Sequence, residues 1–144
     1  MTDRPDPVLI RRTGMPALRL DDYGLAAQAT SRTQQGARQN RWHELEWWSH
    51  DQRPGGPEQR HCLVVRYCTT WQGELGHDWA AILLRRDLED VLRGIDPCEH
   101  VGGFPPGDAY REKQERLLRE IRAGYEHAVS DLLAAARVWD LGDP

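Results

Sequence analysis

An α+β fold is predicted for this 144-residue sequence by three features. Two neighbouring segments, RWHELEWWSH (41–50) and RHCLVVRYCTTW (60–71), alternate apolar and polar residues with the two-residue period of a strand. The loop between them, DQRPGGPEQ, holds a Pro-Gly-Gly-Pro core that cannot continue a ladder and readily supplies positive φ. Beyond residue 108 the apolar spacing changes to three and four, the period of an amphipathic helix. The expected architecture is a short antiparallel meander of about three strands over residues 41–85, then a short helix and a long C-terminal amphipathic helix.

Each element has its own signal. In the first strand His43, Leu45 and Trp47 share one face, with Trp42, Glu44, Glu46 and Trp48 on the other. The second is rich in β-branched and aromatic residues, with Leu63, Val65 and Tyr67 opposite Cys62, Val64, Arg66 and Cys68. After the turn QGELGHD, the run DWAAILL supplies the third. Asp87 is placed to cap a short helix whose Leu88, Val91, Leu92 and Ile95 form one stripe, ended by Gly94 and Pro97. Asp108 is placed to cap the long helix, which runs to about Val138 with Leu118, Ile121, Tyr125, Ala128, Leu132 and Ala135 as its seam. Such a helix would be on the order of 45 Å long. An eight-residue strand spans only about 27 Å, so part of the helix needs another surface.

Residues 1–40 read as an N-terminal arm, partly extended or flexible, ahead of a single domain at 41–144. Residues 1–7 should fray. Val8 to Ile10 form an edge strand, Leu18 and Leu20 anchor a short extended piece, and Asp21 to Thr33 form a weak helix capped by Asp21 or Asp22. Gln34 to Asn40 is a polar linker.

Composition narrows the function classes. The formal charge is −4, with a basic excess over residues 1–42 and an acidic bulk beyond, which argues against a dedicated nucleic-acid-binding domain. No apolar run approaches the ~20 residues of a membrane span, and no secretory signal core opens the chain. Three cysteines without a framework spacing fit reduced thiols, so a cytoplasmic location is expected. No internal repeat is visible.

Four constellations carry possible chemistry. His77, Cys98 and His100 have zinc-type donors, yet they lack the close Cys pairing that lets one turn present two ligands. Cys62 and Cys68 lie about 20 Å apart along a strand and read as packing residues. The turn Glu74-Leu75-Gly76-His77-Asp78 sets carboxylates beside an imidazole, as acid–base catalysis needs, but polar turns have the same composition. Arg32, Arg38 and Arg41 among Ser, Thr, Gln and Asn form a sparse basic arm over 30–42, with Trp42 as a base-stacking platform.

The fourth constellation is aromatic. The sequence has six Trp against one Phe, and Trp42, Trp47, Trp48, Trp71 and Trp79 fall on both faces of the expected sheet. Either the N-terminal segment covers the second face or these aromatics meet a partner. The sequence therefore reads as a small non-enzymatic intracellular interaction module, an adaptor, inhibitor or regulatory accessory protein, with no catalytic residues and no cofactor. It would act through this aromatic surface and the C-terminal helix, whose seam packs either on the sheet or across a two-fold axis. Its partner would be another protein, a second copy included. A nucleic-acid-associated regulator is the alternative, and a small enzyme or zinc protein the third reading.

Overall fold

The computed structural model describes residues 6–33, 39–50, 60–102 and 107–141. The expected frayed start (residues 1–5), most of the polar linker (34–38) and the Pro-Gly loop (51–59) lie outside the described residues, as do 103–106. The α+β class is as the sequence predicts, with more strands than expected. In chain order the elements are β1 (Val8–Arg12), β2 (Met15–Leu20), β3 (Tyr23–Thr30), β4 (Arg41–His50), β5 (Arg60–Thr69), β6 (His77–Leu84), α1 (Leu88–Gly94) and α2 (Asp108–Leu141). β3-β4-β5-β6 is a four-stranded antiparallel meander, and β1-β2 is a separate hairpin.

The pairing follows the alternation read from the sequence. Leu45 sits opposite Val65, Trp47 opposite Leu63 and His43 opposite Tyr67, so these side chains share one face. Trp48 sits opposite Cys62 and Glu44 opposite Arg66 on the other face. α1 and α2 cover the first face, whose core contains Leu45, Trp47, Leu63, Val65, Leu92 and Leu132. Burying each such aliphatic side chain contributes about 1.5–3 kcal/mol. Ile10 and Leu20 of the hairpin close the second face over Cys62, Val64 and Ala80, with Tyr23 and Trp48 packed beside them.

Residues 21–33 are not a helix. Tyr23–Thr30 is the first strand of the main sheet, so residue 40 separates two paired strands, β3 and β4. The three alanines and Leu25 tolerate a helix, but pairing of Ala27 with Trp47 and Ala29 with Leu45 buries the first and half-buries the second on the sheet. Asp22, at φ 64°, makes the tight turn from β2 into β3 rather than a helix cap. A bulge between Leu25 and Ala27 shifts the register so that Ala27 is the residue buried beneath the helices.

Asp87 precedes α1, but its carboxylate makes no capping hydrogen bond; a 3₁₀ turn over Arg85–Asp87 leads into the helix instead. α2 is 34 residues, or about 51 Å, long. Its buried seam is Ile121, Tyr125, Ala128, Val129, Leu132 and Ala136, while residues 108–113 are exposed. The Tyr125 hydroxyl donates to the Leu92 carbonyl at 2.6 Å, tying α2 to α1.

Candidate functional site

The β5–β6 connection folds back over the end of β5. The Glu74 N–H donates to the Trp71 carbonyl at 3.1 Å, and the Trp71 N–H donates to Thr69 Oγ1 at 3.1 Å. Gly76 is required here, because a Cβ would lie 2.8 Å from the Tyr67 carbonyl oxygen. Gly73, at φ 85°, makes the turn before it.

This fold turns Glu74 inward. Its carboxylate receives Arg41 Nε at 2.9 Å, Arg41 Nη2 at 2.7 Å and the Tyr67 hydroxyl, with the Glu74 side chain only 4% exposed and that of Arg41 10%. Burial alone would push the Glu74 pKa up; the hydrogen bonds from Arg41 and Tyr67 and the Arg41 charge outweigh it, and the carboxyl titrates below its ordinary range. The Tyr67 phenol is pushed up, first by burial and then by Glu74. A fork of charge-assisted hydrogen bonds therefore pins the middle of the connection.

The residues around Glu74 point the other way. Trp71 is 54% exposed and Leu75 is 85% exposed. The Arg41 guanidinium lies 5.3 Å from the Trp71 ring centroid, bracing the indole from behind.

Two imidazoles flank the cluster. His77 and His100 stack with ring centroids 3.6 Å apart and planes 10° from parallel. The His77 pKa is lowered, by burial first and then by His100. His43 is buried between β5 and α2, 5.4 Å from the Tyr67 ring and 5.1 Å from the Tyr125 ring, centroid to centroid. Burial lowers its pKa to about 4, against the opposing effect of a hydrogen bond with the Pro97 backbone. A cleft of about 160 Å³ opens nearby, between Ser31, Gln39 and Arg41 on one side and Leu117, Glu120 and Gly124 of α2 on the other.

The turn expected to gather acid and base disperses them. Glu74 goes to Arg41, His77 stacks on His100, and Asp78 lies 3.7 Å from Arg66 on the opposite face. Of the three zinc-type donors, His77 and His100 meet, whereas Cys98 Sγ lies 3.6 Å from the Leu118 carbonyl. Among the described residues no three His, Cys, Asp or Glu side chains are grouped to hold a metal ion.

The basic arm is also divided. Arg41 is committed to Glu74, Arg32 lies 4.5 Å from the Trp42 ring centroid, and Arg38 is outside the described residues. Trp42 is 8% exposed, leaving it no open face for a base. Trp47 is buried and stacked on His61 at 4.4 Å, Trp48 is half-buried beside the hairpin, and Trp79 is half-buried against the helix-side core. Of the five tryptophans expected to meet a partner, Trp71 alone is mostly exposed.

Sequence reasoning missed two associations. Arg41 and Glu74 are 33 positions apart, and only the β4–β5 register brings the start of β4 beside the end of β5. Ser49 Oγ lies 2.9 Å from His61 Nδ1, both residues buried; their positions near the two ends of one hairpin loop were the available signal. Comparison of the chain with known protein families, with curated proteins and with solved structures found no match.

Proposed function

We propose that the protein is a small interaction module, an adaptor, inhibitor or regulatory accessory, whose contact centre is the β5–β6 connection. One observation carries this reading: Trp71 and Leu75 are both displayed on a connection that the buried Arg41–Glu74–Tyr67 cluster holds in place. Aromatic anchors dominate binding energy at protein interfaces, and a contact loop already ordered loses little entropy on binding. The partner is a protein with an apolar pocket wide enough for an indole. Three cysteines with free thiols suit a reducing compartment such as the cytoplasm. Among the described residues no helix is long and apolar enough to cross a membrane.

The test is a double substitution, Trp71→Ala with Leu75→Ser. Both residues are solvent-facing, so circular dichroism and the melting temperature should match the parent closely. Photocrosslinking from position 72 in the native cell, with nuclease added at lysis, should give a discrete adduct with the parent that is lost in the double variant. An adduct retained by the double variant moves the contact centre elsewhere. Association abolished by nuclease would favour the basic arm around Arg32 and Arg41.

A further inference from the structure

The two edges of the four-stranded sheet differ. On β6 the Asp78 backbone is occupied by the β1–β2 turn: the Thr13 N–H donates to its carbonyl at 2.8 Å, and its N–H donates to Thr13 Oγ1 at 2.8 Å. β3, at the opposite edge, has no second strand neighbour among the described residues. Edge strands are ordinarily guarded by charge, proline or a bulge; β3 carries no charge and no proline over Tyr23–Thr30, and its guard is the bulge between Leu25 and Ala27. The bulge leaves Ala26 without a partner on β4.

Charge gathers at the two ends of this strand and with opposite sign. Asp21 and Asp22 precede it, both exposed, and with Arg19 bonded to Asp21 at 3.1 Å this end keeps a net negative charge; exposed Arg32, over the Trp42 ring, follows it. We propose that β3 pairs antiparallel with β3 of a second copy of this chain, joining two four-stranded sheets into one of eight. A two-fold axis near Ala26 and Ala27 sets Asp21 and Asp22 of each copy beside Arg32 of the other, at both ends of the interface. Parallel pairing would instead set like charges together. Such an interface is isologous, with one patch completing itself.

The helix layer is compatible with this arrangement. α2 lies over β3 and β4, with Gly124 against Ser31 and Tyr125 against His43. Across the two-fold axis the α2 helices come about two strand spacings apart, on the order of 10 Å. That is the distance at which helices pack side by side. The surface is separate from the Trp71–Leu75 display on the β5–β6 connection, so either assignment can fail without the other.

Sedimentation equilibrium from micromolar to sub-millimolar protein tests the pairing. The parent should approach twice the 16.6 kDa chain mass. Leu25→Lys, at an exposed position beside the axis, should be monomeric with the parental circular dichroism spectrum. Arg32→Glu and Asp21→Arg, each alone, should weaken the dimer by at least about tenfold through like-charge contact. Mixed in equal amounts, those two variants should recover a dimer of one copy of each. Asp22 is left unchanged because its φ of 64° penalises most replacements. A parent that stays monomeric throughout, or a dimer that none of these substitutions weakens, overturns the proposal.

Discussion

His43 and His61 are 3% and 2% exposed, and burial holds both near pKa 4 against an ordinary 6.5. Both are therefore neutral in the folded protein at pH 5 and must take up a proton on unfolding. Their contribution to stability is complete above about pH 6.5 and is lost as the pH falls towards 4, by roughly 1.4 kcal/mol per pH unit for each histidine. Urea unfolding at pH 7 and pH 5 should show this loss, and His43→Phe should remove about half of the slope. Equal stability of the parent at both pH values would mean that the two imidazoles reach solvent. Glu74 acts in the same direction at lower pH: its lowered pKa means that its contribution disappears as the pH falls through and below the ordinary carboxylate range. A third residue explains its own presence. Gly124 in mid-helix costs about 1 kcal/mol relative to Ala. A Cβ there would lie 3.3 Å from Ser31 Cβ, so the close approach of α2 to the end of β3 offsets what alanine would gain.

Among the elements, α2 was expected to use its seam either on the sheet or across a two-fold axis, and the fold places it on its own sheet. Leu132 is fully buried among the residues that pack under the helices. Leu132→Ala should cost about 2–5 kcal/mol. Leu132→Asp should unfold the domain, because an unpaired carboxylate would sit in that core. A folded Leu132→Asp variant of parental stability, seen by circular dichroism and thermal melting, would show the seam to be exposed. The excess helix length is taken up differently from the sequence expectation. The first turns of α2, residues 108–113, are exposed, so they extend past the covered part of the sheet.

For the molecule as a whole, the sheet is a middle layer between the helices and the β1–β2 hairpin. This answers the puzzle of apolar residues on both strand faces: Cys62, Val64 and Ala80 need a lid, and Ile10 and Leu20 supply it. Cys62 is completely buried, and burial pushes its thiol pKa up to about 11. It should therefore react with a thiol reagent only when the hairpin opens or the chain unfolds. Ile10→Asp with Leu20→Asp should detach the lid and speed Cys62 modification by orders of magnitude, measured by mass spectrometry against Cys68 and Cys98 as internal references. Unchanged Cys62 protection in that variant would mean that the hairpin is not what shields it.

The sequence by itself determined the elements whose signal is local. Alternation in β4 and β5 specified which residues face together, because a strand's period of two puts Leu45 with Trp47 and Leu63 with Val65, and a one-residue slip in pairing would send the two pairs to opposite faces. The three-four spacing of α2 likewise marked Ile121, Tyr125, Ala128 and Leu132 for burial. Where local signals were degenerate, the tertiary structure decided. Tyr23–Thr30 has alanines that suit a helix, and only the offer of ladder hydrogen bonds and a buried face from β4 makes it a strand. The same holds for the site. Glu74 beside His77 suggested acid–base chemistry, but strand pairing delivered Arg41 from 33 residues away, and a buried carboxylate takes the partner that neutralises it. Exposure of Trp71 and Leu75 follows from that pairing, since turning Glu74 inward turns its neighbours out.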